Sequence, residues 1–313
     1  MPHTPVPFDP EIESALGVPD GTTPEYTAET LPEMRRAMAS MSPTAADVIG
    51  ARPVEVAEHT ADGGIAITVL SPRGLDHPVP ALYNIHGGGM MLGTRDMDNP
   101  RLVDLVLELG VVAINVEYRL APEHPHPAPV EDCYAGLVWT AAHAAELHVD
   151  PARIVVMGGS AGGGLAAGVA LLARDRGGPA LAGQLLLCPM IDDTSTTVAS
   201  HQYQGIGPWP REATIAGWSA LVGDAEEVSP YAAPSRAADL SNLPHAFIEV
   251  GSAEGFRDED VEYARRIWAT GGRAELHVWS GGCHGFDIYA PAAEITRAAL
   301  AARLSWLRRV LAP

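Results

Sequence analysis

Gly158-Gly159-Ser160-Ala161-Gly162 sets a serine among glycines and an alanine, directly after the apolar run Ile154 to Met157 and just before a helical pattern from Leu165 to Arg174. A G-x-S-x-G pentapeptide at a strand-to-helix turn has the form of a nucleophile elbow. The small neighbours have a physical reason: the serine must hold a strained backbone at a tight turn, where larger side chains would strike strand or helix. The turn lifts the hydroxyl to the positive end of the helix, where negative charge is stabilised. An alcohol is a poor nucleophile, so it requires a base, and the base requires an acid to orient it. In this arrangement the chain order is Ser, then Asp or Glu, then His. His284, in Ser280-Gly281-Gly282-Cys283-His284-Gly285-Phe286, follows the strand pattern Ala274 to Trp279 and stands where the base belongs. The acid belongs after the strand pattern Ala246 to Val250, and Glu254 is the first carboxylate placed to reach across. Asp258 reads as the cap of the next helix, and Asp192 and Asp193 follow an earlier strand.

His86-Gly87-Gly88-Gly89 ends the strand pattern Ala81 to Ile85. Glycines leave backbone N–H groups unshielded, so two of this run, with the amide of Ala161, can donate to a developing alkoxide as an oxyanion hole. His86 reads as a residue that holds this loop, and Cys283 as a packed thiol. Met90, Met91, Tyr203, Trp209 and Trp218 are the candidate pocket-lining residues, with ordinary core packing as the alternative for each. Gly162-Gly163-Gly164 and Gly168 also approximate a dinucleotide phosphate loop, but no acidic residue ends the next strand, Gln184 to Cys188. His124 and His126 have no carboxylate or cysteine at ligand spacing. No metal and no cofactor are implied.

The elements that must position these groups are legible as alternation. Val54 to Ala57 and Ile65 to Leu70 flank Asp62-Gly63-Gly64, a hairpin pattern. Strand patterns at Ala81 to Ile85, Val111 to Val116, Arg153 to Met157, Gln184 to Cys188, Ala246 to Val250 and Ala274 to Trp279 are interleaved with helical stretches. The helical stretches are Pro32 to Ala39, Leu102 to Leu109, Val130 to His148, Leu165 to Arg174, Asp258 to Ala269 and Ala292 to about Val310. Such alternation implies an α/β fold with a mostly parallel sheet covered on both faces. Asp193 to Val228 breaks the rhythm, with scattered Gly, Pro and Trp, and is too long for a simple crossover.

With 20 basic against 39 acidic residues the chain carries a formal charge of −19, which opposes nucleic acid and anionic lipid as partners. No apolar run is long enough for a spanning helix, and the N-terminus has no basic start before an apolar stretch. Three cysteines, Cys133, Cys188 and Cys283, lie far apart with neither disulfide nor zinc spacing, which suits a cytoplasmic protein. A homodimer is left open.

Together, His86-Gly87-Gly88-Gly89, Glu117-Tyr-Arg-Leu-Ala-Pro-Glu123 with Pro129-Val-Glu-Asp132, the Gly158 to Gly163 elbow, Phe256-Arg-Asp-Glu259 and Cys283-His-Gly-Phe286 resemble the hormone-sensitive-lipase family of bacterial esterases, from about Ala81 to the C-terminus. The resemblance implies an eight-stranded α/β-hydrolase core over residues 46–192 and 229–313, with a helical cap from residues 1–45 and 193–228. It implies Ser160 as nucleophile, His284 as base, Gly87, Gly88 and Ala161 as the oxyanion hole, and hydrolysis of a small-molecule ester through an acyl-enzyme. A cap closing over the pocket favours short acyl groups. Two departures stand out. Gly159 replaces the family's usual Asp before the serine, and Glu254-Gly-Phe replaces the usual Asp-Pro-Leu, which puts Glu254 in the acid's place. An amidase or acyltransferase would use the same residues, and a non-catalytic small-molecule receptor on this fold is the remaining alternative.

Overall fold

The structure, a computed structural model, describes residues 3–17 and 25–312. Residues 1–2 and 18–24 of the segment 1–45 lie outside the described residues. The strand patterns become β1 (Val54–Ala61), β2 (Ile65–Pro72), β3 (Val79–Ile85), β4 (Val112–Val116), β5 (Val149–Gly159), β6 (Gly183–Leu187), β7 (His245–Gly251) and β8 (Ala274–Trp279). They form one eight-stranded sheet in the order β1-β2-β4-β3-β5-β6-β7-β8. The Asp62-Gly63-Gly64 turn sets Ala61 opposite Ile65 in an antiparallel hairpin, β2 runs antiparallel to β4, and the pairs from β4 through β8 are parallel.

Parallel neighbours require crossovers, and helices supply them. The helices are α1 (Pro10–Leu16), α2 (Leu31–Met41), α3 (Ala45–Ile49), α4 (Asn99–Leu109), α5 (Ala128–Ala142), α6 (Ala161–Arg176), α7 (Val198–Gln202), α8 (Arg211–Val222), α9 (Arg257–Ala269), α10 (Phe286–Tyr289) and α11 (Glu294–Val310). Alternate strand residues divide between two apolar layers, as the period of two requires. Ala81, Tyr83, Ile85, Ile154 and Val156 pack with residues of α5, α6 and α9, whereas Leu82, Val155 and Met157 pack with residues of α4 and α11. β4 is buried at every position. No helix among the described residues is long and apolar enough to cross a membrane.

Two helices differ from the sequence pattern. The helix expected over Val130 to His148 stops at Ala142, because the chain must turn back into β5 and His148 adopts φ 52° to do so. α6 starts at Ala161, four residues before the apolar pattern suggests, because its glycines are helical. A Cβ on Gly162 would overlap the Ile85 carbonyl, one on Gly164 the Met190 carbonyl, and one on Gly168 the Tyr231 carbonyl. The run Gly162-Gly163-Gly164 with Gly168 therefore serves close packing.

Two segments cross the loops at the C-terminal ends of the parallel strands. In residues 193–228, α8 sinks Trp218 and Leu221 into the main core. Near the N-terminus, Arg35 of α2 donates to Met91 O at 2.7 Å and Ala121 O at 2.8 Å, and grips both carboxylate oxygens of Glu123 at 2.8 Å. That guanidinium lowers the pKa of Glu123 to about 2. The Glu117 to Asp132 stretch is clamped in the same way: Arg119 meets both Asp132 oxygens, at 2.8 and 2.7 Å.

Asp260 of α9 is fully buried, and neither of its carboxylate oxygens has a hydrogen-bond partner among the described residues. Burial above all, then the charges of Glu259 and Glu254, hold its pKa well above the ordinary carboxylate value, so the folded chain keeps it protonated. Unfolded, it titrates near ~4. Its contribution to stability is complete below that pH and is lost as pH rises toward the folded pKa, at up to about 1.4 kcal/mol per pH unit. Asp260→Asn has no such proton to lose. Urea unfolding from about pH 4 to about pH 7 should therefore give a flatter stability profile for this variant than for the parent; parallel profiles would refute the buried, protonated carboxyl.

Candidate active site

β3, β5, β6, β7 and β8 all run in one direction, so the loops that follow them emerge along one edge of the sheet, where open α/β sheets bind ligands. Ser160 closes β5 and precedes α6 with φ 57° and ψ −125°. A non-glycine residue in this region costs on the order of 1–3 kcal/mol and persists only where its surroundings hold it. Three backbone bonds do so. Ser160 N donates to Leu187 O at 2.8 Å, while its carbonyl accepts from Gly164 N at 3.0 Å and Met190 N at 2.9 Å. A Cβ at Gly158 would overlap the Gly162 carbonyl, so no side chain fits inside the elbow. Gly159 differs: a Cβ there would meet only Leu187 atoms, at 3.9 Å.

The loop that carries His284 and the loop that carries Glu254 are joined to each other by hydrogen bonds. Ser252 N donates to Trp279 O at 2.8 Å, Ala253 N to Gly282 O at 3.0 Å, and Gly281 N to Ser252 Oγ at 2.9 Å. Gly251 permits this contact, since a Cβ there would overlap the Gly282 carbonyl. Glu254 is 2 % exposed and accepts Gly251 N–H on Oε1 at 2.7 Å. Its Oε2 lies 2.6 Å from His284 Nδ1, and His284 Nε2 lies 2.9 Å from Ser160 Oγ. With Nδ1–H donating to the carboxylate, Nε2 is left as an acceptor for the serine proton. Phe256 meets the imidazole edge-to-face at 5.0 Å between ring centres.

Deeper down, buried Arg303 of α11 bonds Glu249 of β7 through Nε at 2.8 Å and Asp287, three residues past His284, at 2.6 Å. Trp279 Nε1 donates to the other Glu249 oxygen at 3.2 Å. This ion cluster ties β7, β8 and the chain beyond the base to one helix. Nothing local in the sequence marks it, because its three charges come from separate elements.

On the opposite side of Ser160, the amides of Gly87, Gly88 and Gly89 donate to no acceptor among the described residues. Ala161 is the first residue of α6, and its N–H lies in the first turn, where helical partners are missing. A Cβ on Gly87 would come within 2.9 Å of Gly159 O and 3.4 Å of Ser160 Cβ, so the glycine loop lies directly against the elbow. His86 is fully buried, stacks on Tyr118 at 4.2 Å, and bonds Gly87 O through Nδ1 at 2.8 Å. Burial lowers its pKa, so it holds the loop as a neutral ring.

The remaining sequence candidates go elsewhere. Asp258 does not cap α9, whose N-cap is Phe256. Its carboxylate instead accepts Ala199 N–H at 2.8 Å and so pins the first turn of α7, while Arg257 reaches Gln202 at 3.0 Å. Asp192 caps its own turn at Thr194, and Asp193 pairs with Arg236. Of the five candidate pocket residues, Trp209 is half-buried, with its ring 6.2 Å from that of His284 and packed where a Gly89 side chain would be, and the Met91 methyl would lie 3.5 Å from that same side chain. Met90 and Trp218 belong to the main core, Met91 packs with Leu31 and Leu92, and Tyr203 is spent on a bond to Val6 O at 2.8 Å. Their apolar surface is claimed by the segments that fold over the loops, a tertiary fact with no local signature. Cys283 is fully buried, and burial pushes its thiol up to about 12.

Residues 82–288 match the family model described as the α/β-hydrolase fold. The carboxylesterase NlhH of Mycobacterium tuberculosis is 34% identical over 308 residues, covering 94% of this chain and 95% of the relative. The esterase LipI of the same organism is 35% identical over 213 residues, 67% of each chain. Among solved structures, a bacterial heroin esterase superposes with a TM-score of 0.87 at 38% identity over 98% of both chains. The esterase LipW of Mycobacterium marinum gives 0.89 at 30% identity over 99% of both.

Two stability measurements test this architecture. Arg303→Ala leaves two buried carboxylates without their counter-charge and should cost about 3–5 kcal/mol in denaturant unfolding; a loss below ~1 kcal/mol would mean that the cluster does not hold the loops. Gly159→Asp places its Cβ in ordinary contact with Leu187 and should change stability by no more than about 0.5 kcal/mol, whereas Gly162→Ala, facing the Ile85 carbonyl, should prevent stable folding.

Proposed function

This chain belongs to the α/β-hydrolase fold family, in its hormone-sensitive-lipase branch, and on that premise we propose that it is a carboxylesterase that cleaves short-acyl esters through Ser160, His284 and Glu254. The observation that carries the reading is the unbroken relay from Ser160 Oγ through both nitrogens of His284 to Glu254, at 2.9 and 2.6 Å.

Ser160 Oγ attacks the ester carbonyl as His284 Nε2 takes its proton. Glu254 keeps the ring in the tautomer that makes Nε2 basic and stabilises the imidazolium that forms. The unpaired amides of Gly87, Gly88 and Ala161 receive the developing oxyanion. His284 then protonates the departing alkoxide, leaving an acyl group on Ser160. A water molecule, deprotonated by the same ring, repeats the attack and releases the acid. Residues 1–45 and 193–228 act as the cap, a role supported by Arg35 gripping the 91–123 loops and by Asp258 and Arg257 fastening α7 beside the acid. Trp209, close to both Gly89 and His284, shortens the space open to an acyl chain. The buried free thiols Cys133 and Cys283 suit a cytoplasmic setting.

The test is a panel of p-nitrophenyl esters of rising acyl length, with matching anilides. Ser160→Ala should lose about 10⁴-fold or more in kcat. Glu254→Gln should lose on the order of 10⁴-fold, and Asp258→Asn no more than about tenfold, equivalent to ~1.4 kcal/mol. The reverse order would move the acid to Asp258. Turnover of long-chain esters equal to that of acetate or butyrate would refute the short-acyl assignment, and anilide turnover matching that of the esters would make the protein an amidase.

A further inference from the structure

Cys188 follows β6 with φ 38°, held by its N–H donating to Glu249 O at 2.6 Å, and the acyl-transfer steps give it no task. One potential ligand atom each from Cys188, Glu254 and His284 lies within 4.8 Å of the other two. A thiol, a carboxylate and an imidazole together are a donor set for zinc and its soft neighbours. Tetrahedral zinc bonds of roughly 2.0–2.3 Å keep ligands on the order of 3.5 Å apart, so the thiol must close in by about an ångström while Glu254 Oε2 and His284 Nδ1, 2.6 Å apart, separate. Burial first, and then the charges of Glu254, Asp287 and Glu249, hold the thiol protonated well above its usual range. Glu249 and Asp287 are paired with Arg303, so Glu254 is the charge that attracts a divalent cation here.

We propose that Cys188, Glu254 and His284 form a site for a soft divalent transition-metal ion, of the Zn²⁺ or Cd²⁺ class, whose binding arrests the protein. The sulfur–hydrogen bond breaks and its proton passes to solvent. The sulfur lone pair, a carboxylate oxygen and an imidazole nitrogen bond the ion, with no change of oxidation state. Bonded to the metal, His284 and Glu254 no longer serve Ser160. The arrest rests on the ester-hydrolysis reading, whereas the binding does not.

The experiment titrates the full chain with ZnCl₂ and CdCl₂ after dialysis against a chelator, with each rate normalised to the metal-free rate of the same variant. Cys188→Ala and Cys188→Ser should raise the half-inhibiting concentration by ~10-fold or more, the scale of a lost metal contact, and Cys283→Ser should leave it in place. Binding is read separately in Ser160→Ala as the ultraviolet cadmium–thiolate charge-transfer band and the proton released. Both signals should disappear when Cys188→Ala is added. Equal inhibition with and without Cys188, or a cadmium band that survives its removal, overturns the site. A band without any ester turnover in the parent protein would instead overturn the function and leave the site standing.

Discussion

An imidazole ring can face a hydroxyl on one side and a carboxylate on the other only if the loops bearing all three are held still relative to one another. Here the hydroxyl is fixed by its own backbone: Ser160 adopts a positive φ that Leu187, Gly164 and Met190 lock through hydrogen bonds. The loops that carry Glu254 and His284 are fixed to each other by a short ladder between residues 251–253 and 279–282. Much of the local composition follows from this constraint. Gly158, Gly162 and Gly251 are glycines because backbone from a neighbouring element occupies the space of a side chain.

Buried charge is used in two opposite ways around this site. Arg303 neutralises Glu249 and Asp287 beneath the base loop and turns three costly desolvations into a cross-link between strands and helix. Asp260 and Glu259, behind the acid, have no such cation, and burial pushes both toward the protonated form. Glu254 is bonded on both oxygens, by Gly251 N–H and by His284. All three carboxyl groups are nearly excluded from water, and neither oxygen of Asp260 has a hydrogen-bond partner among the described residues.

The segments above the strand ends are tied down by charged residues at the sequence motifs themselves. Glu123 receives Arg35, Arg119 receives Asp132, and Asp258 receives the first turn of α7. Several charged positions in those motifs are thus anchors that hold loops and helices to one another.

Much of this was legible in the chain alone. Ser160, His284 and the glycine loop after Ile85 announce themselves through small residues placed directly after apolar runs, because turn geometry and strand burial are local demands that local sequence must satisfy. The sheet follows from the same kind of evidence, since a period of two and runs of β-branched residues belong to single elements. Other features took shape only when distant elements met. The Asp258 carboxylate reaches Ala199 in place of its own helix, Trp218 and Met90 sink into the core while Trp209 stays beside His284, and Arg303 finds Glu249. Cys188 comes within 4.8 Å of His284, a proximity that the cysteine spacing along the chain does not announce. The physical reason is that pattern encodes which face of an element is buried, whereas the partner of a buried or charged side chain depends on how elements far apart in sequence cross.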